Sequence, residues 1–211
     1  VNDLNWSAVE AAAALDMGVF IISPNDKGGK LYLDLPIMRE LCAPLTPMQF
    51  NDLYCLARPQ VHTLSLGAAR PSDYDEHITA LDHYDQAAEI TAPIARRLHE
   101  RMEKVLGPEW CARWSEGLPN FTEIPDQVNV TEILRLYTYA KPLGLAEWAK
   151  FRYNMLGTAD HWFPGEHVGK LNRKKLTPAV ARSPFANRLV EVLEEAHDLY
   201  HDAPVKRLSQ S

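Results

Sequence analysis

The sequence predicts a chain that begins as an α/β fold and continues as an all-helical one, mostly helical overall. Two short apolar runs, at 18–23 and 61–66, are each followed by a glycine-containing loop and then a helical pattern. Strand and helix in alternation are typical of parallel sheets. From Tyr84 onward the patterns are helical and no further strand is indicated. The predicted segments are therefore 1–83 and 84–211.

Bulk composition narrows the function classes. A chain of 211 residues holds one large or two small domains. Its net charge of −6 has no basic block to offset it, which argues against nucleic-acid partners. No apolar stretch has membrane-spanning length. Cys42, Cys55 and Cys111 form neither a disulfide framework nor a CxxC pair, so we expect reduced thiols in a cytoplasmic protein.

The first predicted helix is 7–16, with Ser7 as its N-cap and Glu10 as the capping-box partner. The run that follows, 18–23, contains four consecutive apolar residues rich in strand formers. This pattern is typical of a strand buried on both faces of a parallel sheet. A helix so near the first residue, feeding a buried strand, is what the middle of a larger protein would contain.

The remainder of the first segment completes the alternation. Helices are predicted near 36–42 and 47–57, the second opened by Thr46-Pro47 with proline in its first turn. Alternating residues at 61–66 predict a second strand, and Pro71-Ser72 begins another helix. Two strands alone make neither a closed barrel nor a stable open sheet.

The second segment starts with a long amphipathic helix at 86–106, which Pro93 should kink or split. Prolines punctuate 107–128, and a loop-rich stretch extends to about 184, where Arg173-Lys174-Lys175 is expected to be a solvated loop. The remaining predicted helices are 130–141, 145–156 and 187–201.

The two glycine-containing loops resemble a known family. Ser23-Pro24 followed by Lys27-Gly28-Gly29 is similar to the loop after the seventh strand of an aldo/keto reductase barrel. The stretch "GAARPSDYDEH" (67–77) resembles that family's eighth strand-to-helix turn. The first motif is weak and the second moderate, but in this order on consecutive strands they are fairly specific. The resemblance implies that 1–83 is the last quarter or so of a (β/α)8 TIM barrel.

In aldo/keto reductases these loops hold the pyrophosphate and adenosine ribose of NAD(P)H. Glycines allow the backbone to approach an anionic linker, and a lysine adds positive charge. By the family pattern Glu76 would accept a hydrogen bond from the adenine, and His77 stands where asparagine is usual. The cofactor-binding residues implied by the resemblance are Ser23, Pro24, Lys27, Gly28, Gly29, Gly67, Ala68, Arg70, Glu76 and His77.

The choice between NADP and NAD stays open. Arg70 at the barrel mouth would pair with a 2′-phosphate and so favour NADP. Asp73, Asp75 and Glu76 place negative charge in the first turns of the same helix, which opposes a phosphate. The alternative is ordinary turn chemistry for the glycines and a surface charge for Arg70.

The second segment resembles the C-terminal ferredoxin-like extension found in one branch of that family. The matching stretches are "PDQVNVTEILRLYTYAK" (125–141), "EWAKFRYNML" (147–156) and "SPFANRLVEVLEEAHDL" (183–199). Ser183 stands where the last cluster ligand would be, and upstream only Cys111 remains. Because an iron–sulfur cluster needs four thiolates, none is predicted. Aromatic residues are expected to fill the space as core: Trp110, Trp114, Phe121, Trp148, Trp162 and Phe163.

Histidines raise the question of another metal. Asp160, His161, Glu166 and His167 are reasonable zinc ligands, but their spacing matches no zinc pattern. His197 and His201 share one helix face, although no glutamate follows His197 as in zincins. We predict no metal. The segment "TADHWFPG" (158–165) is the best candidate for a loop that touches a ligand or partner.

Two functional hypotheses follow. Aldo/keto reductases use a tyrosine as general acid, tuned by lysine and aspartate, with a histidine that orients the carbonyl substrate. No position here matches those motifs, so no catalytic residue is assigned and the chain alone should be inactive. The first hypothesis is the C-terminal portion of an NAD(P)-dependent aldo/keto reductase acting on a small-molecule carbonyl substrate. The second is a truncated, non-enzymatic helical interaction protein with a vestigial nucleotide-binding loop, whose strand edges would be covered by self-association.

Overall fold

The computed structural model describes residues 5–25, 29–67, 70–158, 164–170 and 172–202. These residues are mostly helical, and their one sheet has two parallel strands. Contacts divide the chain into two compact units, 1–101 and 102–211. The predicted segments 1–83 and 84–211 meet inside the first unit, in a 3-10 helix over Leu81–Gln86.

The first unit contains the predicted alternation of strands and helices. Strands β1 (Val19–Ile22) and β2 (Val61–Ser65) are parallel neighbours, with Val19 opposite Val61 and Ile22 opposite Ser65. The helices are α1 (Trp6–Ala14), α2 (Pro36–Cys42), α3 (Pro47–Leu56) and α4 (Ser72–Ala80). The order β1, α2, α3, β2, α4 confirms the sequence-based order of elements.

Three helix starts were predicted, and two of them are confirmed: α3 begins at Pro47 after Thr46, and α4 begins at Ser72 after Pro71. At α3 the Thr46 hydroxyl accepts from the Gln49 N–H at 3.2 Å and the Gln49 side chain accepts from the Thr46 N–H at 3.1 Å. This is a capping box behind the predicted Thr46-Pro47 start. At α1 the predicted Ser7 capping box is wrong. The helix begins at Trp6, and the Glu10 carboxylate accepts from the Trp6 indole N–H at 3.0 Å instead.

Strand β1 departs from the prediction that both its faces are buried. Phe20 and Ile22 are 59% and 69% exposed, whereas Val19 and Ile21 are half-buried. Side chains alternate along a strand, so Phe20 and Ile22 share one face. No layer covers that face within the residues that the structure describes. Apolar residues on both faces of a strand indicate that both faces can be covered. They do not indicate whether the covering layer belongs to the same chain.

Helix α5 (Ala87–Leu106) continues without a break through Pro93, so the split that was predicted as one outcome does not occur, and the alternative, a kink, stays a prediction. Ile94 and Leu98, on the C-terminal side of the proline, are each 1% exposed. Burial of this apolar stripe stabilises the helix by more than the roughly 3 kcal/mol that an internal proline costs, since each fully buried side chain contributes roughly 1.5–3 kcal/mol. The contact boundary between the two units falls within this helix.

The second unit consists of helices and irregular segments. Its helices are α6 (Pro108–Arg113), α7 (Val130–Leu143), α8 (Ala146–Tyr153), α9 (Arg173–Ala179) and α10 (Leu189–Tyr200), with 3-10 turns at Phe121–Glu123, Pro125–Gln127 and Val168–Lys170. Helices α7, α8 and α10 pack against one another. The expected solvated loop at 173–175 is instead the first turn of α9, because Asn172 caps it and Leu176 anchors it at 1% exposure.

The aromatic core of this unit forms largely as expected. Trp110 is 2% exposed, packs against Phe185 with ring centres 4.9 Å apart and the planes tilted by 48°, and donates its indole N–H to the Thr138 hydroxyl at 2.9 Å. Trp114 and Trp148 are also buried. Phe121 is only half-buried, and Trp162 and Phe163 lie outside the described residues.

Candidate functional site

The carboxyl ends of β1 and β2 lie side by side, where the two glycine-containing loops begin. The Ser23 N–H donates to the Ser65 carbonyl at 2.8 Å, which carries the pairing one residue past the end of β1. Ser23 has a left-handed backbone with φ of 50°, so the chain turns sharply there. Both loops therefore leave the sheet from the same edge.

The predicted site residues are distributed around this edge. Ser23 and Pro24 are half-buried and Gly29 is buried on the first loop, while Gly67 follows β2. Three of the predicted residues, Lys27, Gly28 and Ala68, lie outside the described residues. Arg70, Glu76 and His77 lie in or just before α4.

A buried polar network connects the first loop to α4. Asn25 is fully buried, and its amide donates to the Asp52 carboxylate at 2.6 Å. The other Asp52 oxygen lies 2.6 Å from Nδ1 of His77. Asp52 and His77 are 3% and 6% exposed. The network joins three elements, namely the loop after β1, helix α3 and helix α4.

The electrostatics of this network depend on burial. Burial raises the pKa of the Asp52 carboxyl, and the hydrogen bonds from His77 and Asn25 partly offset that rise. Among the described residues, the Asn25 side-chain oxygen and Nε2 of His77 are buried without a hydrogen-bond partner. Each of these two residues thus keeps one buried polar atom whose hydrogen-bonding capacity the described residues do not use.

Asp52 is a site residue that the sequence analysis missed. The available signal was its spacing, because Asp52 follows Met48 by four residues and so lies on the same face of α3. Met48 is 2% exposed, which makes that face the buried one. A carboxylate on a buried helix face needs partners, but the sequence does not indicate that they would be Asn25 and His77.

Arg70 is held by the acidic start of α4. Its backbone N–H donates to Asp73 at 2.9 Å, and its guanidinium donates to the same carboxylate at 3.0 and 3.2 Å. The Asp73 side chain is 1% exposed and that of Arg70 is 63% exposed. Asp73 thus neutralises part of the Arg70 charge while it orients the guanidinium at the surface.

A second cluster of polar side chains lies in the second unit. His167 belongs to the described stretch 164–170, and His197 and His201 lie at the end of α10. One ligand-capable nitrogen from each ring lies within 4.8 Å of the other two. The sequence analysis placed His197 and His201 on one helix face. It did not connect them with His167, because that contact depends on the tertiary fold.

Tyr153 at the end of α8 supports this cluster. Its hydroxyl lies 2.7 Å from Nδ1 of His197 and accepts from the Val168 N–H at 3.2 Å. Burial raises the pKa of the Tyr153 phenol, so it remains protonated near neutral pH. Burial and the neighbouring His201 lower the pKa of His197.

A third polar group joins α7 to α10. The Tyr137 hydroxyl donates to Glu195 at 2.7 Å, and the Lys141 ammonium donates to Tyr137 at 2.7 Å and to Glu195 at 2.5 Å. Burial raises the pKa of Tyr137, and the Glu195 carboxylate adds to the rise against the opposing effect of Lys141. The Tyr137 hydroxyl is therefore hydrogen-bonded to a carboxylate, and the three side chains connect helix α7 to helix α10.

The cysteines are thiols of low reactivity. Burial raises the pKa of Cys42 to about 12 and that of Cys55 to about 11. Burial also raises the pKa of Cys111, which is only partly covered. Since the thiolate is the nucleophile and the metal ligand, none of the three resembles a catalytic cysteine.

Comparisons with known proteins identify no relative. No family model matches the sequence, and neither a curated protein nor a solved structure matches the chain. Across the described residues, no helix combines the length and the apolarity needed to cross a bilayer.

Proposed function

We propose that this chain is the C-terminal portion of an NAD(P)-dependent aldo/keto reductase and contributes cofactor-binding loops without the catalytic residues. The observation that carries the proposal is the edge where the loops after β1 and β2 leave the sheet together, with Ser23 bonded to Ser65. Ligands of parallel α/β folds bind at the carboxyl ends of the strands.

The proposed ligand group is the adenosine and pyrophosphate end of the cofactor. The N-terminal end of helix α4, which carries the positive end of the helix dipole, directly follows the second loop, and this favours an anion there. Arg70 presents an exposed guanidinium there, and its bonds to Asp73 fix its direction. Glu76, the residue that the family resemblance assigns to the adenine, is half-buried on the same helix.

Nucleotide binding tests this proposal. We expect 2′,5′-ADP to bind the chain in a calorimetric titration, and Arg70→Ala to weaken it about 10-fold, as loss of one charged hydrogen bond of about 1.4 kcal/mol would do. The same Arg70→Ala substitution should leave the binding of 5′-AMP unchanged, because 5′-AMP has no 2′-phosphate. Arg39→Ala is the matched control because Arg39 is also an exposed arginine paired with an aspartate, Asp34. Absence of binding, or equal effects of both variants, would refute the proposed phosphate contact.

Catalysis by this chain alone is expected to be absent. Hydride transfer needs a tyrosine acid tuned by lysine, and the Tyr137–Lys141 pair is bonded to Glu195 instead. An NADPH-consumption assay with a panel of aldehydes should therefore show no turnover above the protein-free rate. Measurable turnover would show that catalytic residues lie within 1–211.

The alternative function is a non-enzymatic interaction protein, and one observation favours it. Phe20 and Ile22 expose apolar surface on one face of β1, and among the described residues each strand has one edge without a neighbouring strand. Exposed strand edges and apolar faces promote association with another chain. Sedimentation velocity separates the two functions. A dimer that depends on concentration and is disrupted by Ile22→Lys would favour the interaction protein, provided that the chain does not bind 2′,5′-ADP.

A further inference from the structure

The histidine cluster of the second unit has the geometry of a metal site. His167, His197 and His201 offer three imidazole nitrogens within 4.8 Å of one another. The rings of His197 and His201 are nearly parallel with centres 4.5 Å apart, and that of His167 lies 5.2 Å from His201. His197 and His201 are one helical turn apart, the spacing at which two imidazoles reach one ion.

The fold fixes the stretch that carries His167 independently of any ligand. The Glu166 N–H donates to the Gln127 carbonyl at 2.8 Å, and the Glu166 carbonyl accepts from the Asn129 N–H at 2.9 Å. Gly165 has a φ of 89°, and a Cβ there would lie 2.9 Å from the Gln127 carbonyl oxygen. Only glycine fits this close approach, so the stretch that carries His167 is held against residues 127–129.

We propose that His167, His197 and His201 bind one zinc ion, with water in the fourth position. Three imidazoles and one open position are a ligand set that Zn²⁺ adopts in proteins. Zn–N bonds of about 2.1 Å at tetrahedral angles place the nitrogens roughly 3.4 Å apart. The nitrogens now lie within 4.8 Å of one another, so the distances between them must shorten by at most about 1.4 Å. Rotation of the histidine side chains, which are half-buried or exposed, can supply this change.

Tyr153 supplies the outer partner that a zinc-bound histidine requires. A histidine that ligates through one nitrogen donates its other N–H to an oxygen acceptor. Nδ1 of His197 lies 2.7 Å from the Tyr153 oxygen, so Nε2 is the nitrogen left for the metal. The buried phenol ring also prevents the imidazole from turning away, because Tyr153 is 0% exposed.

The hydrogen bond between Gly169 and His167 must break when the metal binds. Nδ1 of His167 accepts from the Gly169 N–H at 3.0 Å. Binding through Nδ1 takes the lone pair used in that bond, and binding through Nε2 requires a proton on Nδ1. Either way the Gly169 amide loses its acceptor, which makes this amide a specific reporter of binding at His167.

The experiment measures Zn²⁺ affinity of the full chain, without an affinity tag, by competition with a chromophoric chelator. We expect one equivalent to bind, and His167→Ala and His201→Ala each to weaken binding at least 10-fold. His83→Ala is the matched control, since His83 is an exposed histidine outside the cluster. Far-UV circular dichroism of each variant confirms that the fold is retained.

Two further readouts keep the test decisive. With Co²⁺ in place of Zn²⁺, visible absorption should indicate four-coordination and vanish in His201→Ala. In ¹H–¹⁵N spectra the Gly169 amide should shift with stoichiometric zinc. Equal zinc affinity in the native chain and both cluster variants, or an unmoved Gly169 resonance at saturation, would overturn the zinc site and leave the three histidines as stacked rings held by Tyr153.

Discussion

Replacement of Asp52 by alanine should destabilise the first unit more than any surface substitution. The change removes the acceptor for Asn25 and for His77, each at 2.6 Å. A buried donor left without a partner costs about 1–3 kcal/mol. Removal of the carboxylate also relieves the cost of its burial, the same cost that raises its pKa. We therefore expect a net loss of about 2–4 kcal/mol in the free energy of unfolding.

A double-mutant cycle isolates the contact with His77. His77→Ala should also destabilise, and the double variant should lose about 1–3 kcal/mol less than the two single losses together. Because the chain has two compact units, unfolding in urea is best followed by hydrogen exchange in peptides from α3. Asp34→Ala is the control, since the Asp34 side chain is 79% exposed and should cost at most about 1 kcal/mol.

Two results would contradict the expected role of Asp52. A loss below about 1 kcal/mol for Asp52→Ala would mean that Asn25 and His77 find other partners at no cost. A coupling energy near zero between Asp52 and His77 would mean that the 2.6 Å contact contributes nothing beyond proximity. Either result would also remove the reason to regard His77 as fixed in position beside the proposed nucleotide edge.

Three more outcomes are expected. Tyr153→Phe should cost about 1–3 kcal/mol, measured by urea unfolding, because the buried Val168 N–H loses its acceptor; a neutral effect would contradict that role. Hydrogen bonds from Lys141 and Tyr137 outweigh burial and lower the pKa of Glu195, and the bond to Glu195 outweighs burial and raises the pKa of Lys141. We therefore expect the contact between Lys141 and Glu195 to stabilise the fold between pH 4.5 and pH 10.5, the ordinary pKa values of the two groups. This stability should fall as the pH drops through the Glu195 pKa or rises through the Lys141 pKa, and a Lys141→Ala variant should lose that dependence in a pH series of melting temperatures. Maleimide at neutral pH should label Cys111 before Cys42, and the reverse order would contradict the burial of Cys42.

Local chemistry made much of the fold predictable. The Thr46-Pro47 start of α3 and the alternating run that forms β2 each depend on a few neighbouring residues. At Pro93 the helix is not split, because packing of Ile94 and Leu98 overrides the local preference against a proline in a helix. The prediction was wrong at α9, where one buried leucine anchors a helix too short to show a periodic pattern.

The candidate sites were less predictable because their members meet only through tertiary contacts. Asp52 joins Asn25 across 27 residues and His77 across 25. His197 and His201 were recognisable as a pair from their spacing, but His167 reaches them through the bond of Tyr153 to Val168. Spacing along one element is visible in a sequence, whereas contact between elements requires the fold.

The exposed face of β1 connects these observations to the two proposed functions. Phe20 and Ile22 are apolar, more than half exposed, and adjacent to the loop that begins at Ser23. Burying either side chain would contribute roughly 1.5–3 kcal/mol, so a covering surface is favoured whether it is the rest of a barrel or a second copy of this chain. If the rest of a barrel covers this face, it would also complete the proposed nucleotide site at the carboxyl ends of β1 and β2. A covering protein segment that strengthens 2′,5′-ADP binding therefore supports the reductase, whereas a dimer that leaves nucleotide binding unchanged supports the interaction protein.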